Sequence, residues 1–206
     1  MKGELEIDFT SGALKHRLRF GGGRGQDLPK AIGLKNGANP HVVDATAGLG
    51  RDAFLLASLG ARVTLIERSE KMHALLAAAL QKAAVGEMAD IISRMELLSG
   101  DAKSLLPRLA PEVVLLDPMH PPRGNSALVK QEMRQLREIV GEDPDAAELI
   151  AVALESAQNR VVLKWPRKAA LPEGLPAPSH QILGKSTRYD VWMRPTTPAV
   201  AAKNSG

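Results

Sequence analysis

Five short apolar runs, each followed by a polar or glycine-rich turn, constrain this chain more than any other feature. They are "HVVDA" (41–45), "ARVTLIE" (61–67), "MELLS" (95–99), "EVVLLD" (112–117) and "NRVVLKWP" (159–166). Between the first two, "TAGLG" is a glycine turn, and residues 51–60 read as a helix ending at Gly60, a natural C-cap. Met72, Leu75, Leu76, Ala79, Leu80 and Ala83 then recur at i, i+3, i+4, so residues 69–84 form an amphipathic helix with Ser69 as its N-cap. Shorter helical stretches fall at 102–109, 126–140 and 144–157. "EVVLLD" is apolar without alternation, as a central parallel strand buried on both faces must be.

Repeated β-α-β units specify an α/β fold: a doubly wound, Rossmann-like, mostly parallel sheet with helices on both faces. "HQILGKSTRYDVWMRP" (180–195) predicts an antiparallel C-terminal hairpin around "GKST" that closes one edge. Ahead of the repeats, "ELEIDF" (4–9) alternates like a half-buried strand, and "GGGRG" (21–25) is a glycine-rich loop before a short helix at 26–34. Three segments are therefore expected: an appendage over 1–36, the main domain over 37–195 and a disordered tail over 196–206. No apolar run approaches the roughly 18 residues that cross a bilayer, and "MKGELEIDFT" has no signal pattern, so a cytoplasmic protein is expected.

Ligands of doubly wound sheets sit beyond the carboxyl ends of the strands, so chemistry is sought there. Gly48-Leu49-Gly50-Arg51-Asp52-Ala53 fits G-x-G-x-x-G/A, and Glu67 follows Gly48 by 19 residues at the end of the second strand. That spacing suits a dinucleotide, whose pyrophosphate approaches the glycines and whose ribose hydroxyls meet the acid. It equally suits S-adenosylmethionine, and the glycines alone leave both open. Asp44, just ahead of them, favours the second: a carboxylate there opposes a pyrophosphate and complements an amino group and a sulfonium.

Two further strand ends agree. Asp101 and Ala102 follow the third strand, where such methyltransferases bind the adenine amino group. Asp117-Pro118-Met119-His120 follows the fourth and resembles the D-P-P-[YFW] motif of methyltransferases that act on exocyclic base amines. The lone pair of such an amine is delocalised into the ring. The Asp117 carboxylate and the Pro118 carbonyl, accepting its two N–H bonds, would draw it toward sp³ geometry and stabilise the developing positive charge.

"HRLRFGGGRG", "VVDATAGLGRDAFLLASLGARVTLIER" and "LLDPMHPPRGNSALVKQEMR" together resemble the bacterial ribosomal RNA small-subunit methyltransferase J family, over residues 5–194. The resemblance implies a class I methyltransferase sheet and methyl transfer from S-adenosylmethionine to N2 of a guanine in 16S ribosomal RNA, free or within the small subunit. It also implies cofactor contacts at Arg51, Asp52, Glu67, Arg68, Asp101, Ala102 and Asp117, alongside Asp44, Gly48 and Gly50 from the glycine loop. His120 stands where family members carry an aromatic suited to stacking on the base, and longer members carry an N-terminal extension.

Charge is consistent with a polyanionic partner. The net charge is +4, but residues 12–35 and 158–194 each carry +5, around an acidic centre. Arg17, Arg19 and Arg24, Arg123 and Lys130, and Lys164 and Arg167 are the candidate phosphate contacts. Trp165 reads as a core or rim residue sooner than a stacking platform. Zero cysteines exclude disulfide and thiolate chemistry, and the five histidines lack metal-ligand spacing, so no metal is expected. The alternatives are an NAD-type oxidoreductase, methylation of adenine N6, and a non-catalytic RNA-binding assembly factor.

Overall fold

The computed structural model describes residues 5–12, 23–35, 39–119, 136, 139 and 145–194. Its centre is a seven-stranded sheet: β1 (His41–Asp44), β2 (Arg62–Glu67), β3 (Met95–Ser99), β4 (Val113–Leu116), β5 (Arg160–Pro166), β6 (His180–Leu183) and β7 (Thr187–Met193). The spatial order is β3-β2-β1-β4-β5-β7-β6, with β1 to β5 parallel and β7 antiparallel to both β5 and β6. The order reverses between β1 and β4, which opens a crevice at their carboxyl ends.

Successive strand residues point to opposite faces, and the chain fills both. Val42, Leu65, Leu115 and Val162 face one core, while Val43, Ile66, Val114 and Val161 face the other. The first core is covered by α1 (Asp27–Ile32), α2 (Arg51–Ser58) and α3 (Glu70–Ala83), through Ile32, Phe54, Leu56, Met72 and Leu76. The second is covered by α5 (Ala102–Leu109) and α6 (Ala146–Ser156), through Leu106, Ile150 and Ala153. Ser69 caps α3 as expected, its hydroxyl accepting from the Met72 amide at 3.4 Å. All four residues of β4 are buried, which accounts for its unbroken apolar run.

The expected strand at 4–9 is corrected: described residues 5–9 pair with no strand. Their alternation serves packing instead. Leu5, Ile7 and Phe9 are buried while Glu6 is exposed, and Phe9 stacks on Phe54 of α2 with ring centroids 4.9 Å apart. A one-turn helix, α4 (Ala89–Ile92), precedes β3 without having been expected. Of the helix expected over 126–140, only buried Leu136 and half-buried Ile139 belong to the described residues, and the tail at 196–206 lies outside them. Among the described residues no helix is long and apolar enough to cross a membrane.

Candidate active site

The crevice is a cavity of about 540 Å³, ringed by the residues that end the parallel strands. β1 contributes Asp44, β2 Glu67 and the following Arg68, and β5 Lys164. The turn after β3 contributes Gly100, Asp101 and Ala102, and the turn after β4 contributes Asp117, Pro118 and Met119. The glycine turn supplies Gly48, Gly50, Arg51 and Asp52 as one wall. The expected site residues that can be described therefore meet in one place, except Arg24 and Arg167.

The two glycines do different work. Gly50 is left-handed (φ +67°) as the N-cap of α2, and a Cβ there would lie 2.9 Å from Leu76 Cδ1 and 3.1 Å from Phe9 Cζ. It is glycine because the core presses on it. Gly48 is also left-handed (φ +50°), but a Cβ there would meet nothing nearer than the Thr46 carbonyl at 3.8 Å. It lines the cavity and leaves room for a ligand to approach the backbone.

Glu67 organises that turn. One carboxylate oxygen accepts from the Gly48 amide at 3.0 Å and the other from the Ser69 amide at 2.8 Å, with the side chain 4% exposed. An ionised carboxylate has about four acceptor positions, so these two bonds leave capacity for hydroxyls. Asp101 has a second task as well. It caps α5, accepting from the Lys103 amide at 2.9 Å, and it stays exposed at the cavity wall.

Asp44 is 3% exposed, and its carboxylate accepts from the Thr46 amide at 3.2 Å. Burial, followed by the nearby Asp52 charge, pushes its pKa up to about 7, against the Thr46 bond and Lys164, which act the other way. Lys164 faces Asp52 and Asp117, its ammonium 2.7 Å from an oxygen of each. Burial by itself would lower the Lys164 pKa. The Asp117 and Asp52 carboxylates outweigh it and hold the ammonium above the usual lysine range.

Residues that sequence reasoning missed complete the ring. The Thr46 hydroxyl accepts from the Asp117 amide at 2.7 Å, tying the turn after β1 to the turn after β4. Tyr189, the only tyrosine of the chain, enters from β7; burial first and then Asp52 raise its phenol to about 12. Its uniqueness was the available signal. At the rim Arg68 donates to Asp145 at 3.1 Å, and Lys103 reaches Asp145 at 2.9 Å and Glu148 at 2.7 Å. The Lys103 bond lowers the Asp145 carboxyl, and this cluster fixes the start of α6 against the end of β2.

Arg24 does not join the cavity. Its guanidinium donates to the carbonyls of Lys35 and Leu59, the second at 2.7 Å, where α2 has run back to the opposite edge of the sheet. Trp165 is 6% exposed and donates to the Ala170 carbonyl at 2.9 Å, so it is a wall residue, as read. His120, Arg123, Lys130, Arg17 and Arg19 lie outside the described residues. Among the described residues no cluster of His, Asp or Glu could hold a metal ion.

Comparison with known proteins places the chain's sequence and fold. A family model described as "Putative SAM-dependent methyltransferase" matches residues 1–194. The chain is 69% identical to a ribosomal RNA small subunit methyltransferase J from Brucella anthropi, covering 93% of this chain and 94% of that one. It is 63% identical to the namesake from Agrobacterium fabrum, covering 91% of each. A crystal structure of a SAM-dependent methyltransferase from Neisseria gonorrhoeae is 37% identical, covers 100% of this chain and 79% of that one, and superposes with a TM-score of 0.73.

Proposed function

Because the chain belongs to the ribosomal RNA small subunit methyltransferase J family, we propose that it methylates the exocyclic N2 amine of a guanine in small-subunit ribosomal RNA. The cofactor is S-adenosylmethionine, which closes the dinucleotide alternative that the glycines left open. The observation that carries the reading is Asp117-Pro118-Met119 at the end of β4, inside the same cavity as the glycine turn and Asp44.

The residues present fit that cofactor. The volume is in the range of small-molecule sites, Gly48 leaves a wall open to close approach, and a buried acid stands where a cationic amino acid group needs a counter-charge. Asp44, with Gly48, Gly50, Arg51 and Asp52, would hold the methionine end. Glu67 and Arg68 would hold the ribose, and Asp101 and Ala102 the adenine, with Ile66 and Leu149 as apolar cavity walls. When bound, the cofactor supplies an electrophilic methyl group on a sulfonium.

The chain's own residues do the rest. The Asp117 carboxylate and the Pro118 carbonyl accept the N–H bonds of the target amine and stabilise the charge that develops on its nitrogen. Thr46 and Lys164 hold Asp117 while this happens. Positioning is the larger part of the task, because the ammonium product sheds its proton readily to water. His120 is assigned to the face of the target base, where imidazole can stack, and Arg123 to an adjoining phosphate.

The test is transfer of tritiated methyl to small-subunit RNA that lacks the modification, followed by nucleoside analysis. Label in N2-methylguanosine is the expected result. Label in N6-methyladenosine, or RNA binding without label, would overturn the reading.

A further inference from the structure

Strand register brings Lys164 to a place that its position in the chain does not suggest. β4 and β5 run parallel with Leu116 opposite Leu163, so the next residues, Asp117 just past β4 and Lys164 still within β5, lie side by side. β7 runs antiparallel to β5 with Tyr189 opposite Lys164. Side chains opposite one another on neighbouring strands share a face. Asp117, Lys164 and Tyr189 therefore form a row across the carboxyl edge, and Asp52 reaches it from α2. The ammonium sits 2.7 Å from Asp52 Oδ2 and 2.7 Å from Asp117 Oδ2, bridging the cofactor wall and the acceptor motif.

We infer that Lys164 is a positioning residue for methyl transfer, which keeps Asp117 ionised and aimed at the acceptor amine, and is not a contact for RNA phosphate. The inference rests on the proposed reaction. Asp44 from β1, Asp52 from α2, Lys164 from β5 and Tyr189 from β7 are titratable groups that stand around Asp117. Lys164 thus stands among three acids and pairs directly with two of them, Asp52 and Asp117. Without it, like charges drive Asp117 toward its protonated form, and a protonated carboxyl has lost an acceptor position that the amine needs. Lys164 with its two partners carries a net charge of −1, which makes it a poor phosphate ligand.

The test compares Lys164→Met and Lys164→Arg with the unaltered chain. Calorimetry with S-adenosylmethionine serves as the folding control, kcat and KM for unmodified small-subunit RNA are measured against pH, and the Asp117 carboxyl is titrated by carbon-13 NMR. For Lys164→Met, kcat is expected to fall about 100-fold, with KM for RNA nearly unchanged. The acid limb of the kcat profile and the Asp117 titration should both move upward by about one pH unit or more, and Lys164→Arg should recover most of each. A Lys164→Met enzyme with unchanged kcat, raised KM for RNA and weaker salt dependence would make Lys164 a phosphate contact and overturn the inference. The carboxyl titration decides independently of RNA: no movement of Asp117 overturns the role of Lys164, whereas an unaltered chain inactive on RNA overturns the proposed substrate.

Discussion

One buried carboxylate couples cofactor binding and stability to pH. Asp44 loses solvent at the end of β1, and its pKa of about 7 means that near neutrality half of the ligand-free chains hold it protonated. The sign follows from linkage. The folded state binds this proton more tightly than the unfolded chain, so Asp44 subtracts stability progressively as pH rises from about 4 to 7, on the order of a few kcal/mol in all. A cationic amino group beside Asp44 reverses the preference, because only the carboxylate pairs with it. Calorimetry should therefore find S-adenosylmethionine binding to weaken by up to about tenfold per pH unit below 7. Asp44→Asn should bind more weakly at pH 8, show a flatter dependence, and melt at a higher temperature at pH 8 in the absence of cofactor. A wild-type affinity that does not change between pH 5.5 and 8 would contradict this assignment.

The exposed basic residues beside the cavity lie on turns rather than strands. Of the basic residues in 158–194, Lys164 and Arg188 are held by carboxylates, and Arg160 is turned inward to the Ala31 carbonyl. Exposed Arg167 and Lys168 lie on the turn after β5, and exposed Lys185 lies on the β6–β7 turn, next to Pro166 and Ser186 of the cavity wall. The two turns are locked together: the Arg167 amide donates to the Ser186 carbonyl at 3.0 Å and its guanidinium to the Gly184 carbonyl at 2.9 Å. Arg188 braces them from below through the carbonyls of Pro166, Arg167 and Ala169. Replacing Arg167, Lys168 and Lys185 together by Gln should raise KM for RNA, leave cofactor affinity and kcat near wild type, and reduce the slope of log KM against log salt by about 2. An unchanged slope would place the RNA elsewhere.

At the scale of the whole molecule, the sheet and its helices were legible because strand runs and helical period recur in strict alternation, and because each strand end carries a residue out of keeping with its apolar run. Asp44, Glu67, Asp101 and Asp117 stand out for that reason, and the cavity lies where they end. Pairing across the sheet was not legible. Lys164 looked like a free cation because 47 residues separate it from Asp117, and only the register of β4 and β5 makes them neighbours. Arg24 looked like a phosphate contact among glycines, although the fold carries it to the far edge. The alternation of Leu5, Ile7 and Phe9 marked burial correctly and pairing wrongly, since a buried face does not require a sheet partner.

In the proposed reaction, Asp117 activates a guanine amine within a S-adenosylmethionine pocket. Single-turnover methyl transfer to unmodified small-subunit RNA, with wild-type chain and Asp117→Ala in parallel at matched occupancy of cofactor and RNA, tests it most directly. N2-methylguanosine is expected from the wild type and a loss of about 100-fold or more in the variant, with RNA binding retained. Equal rates from the two chains, or methyl on a different atom, would contradict it.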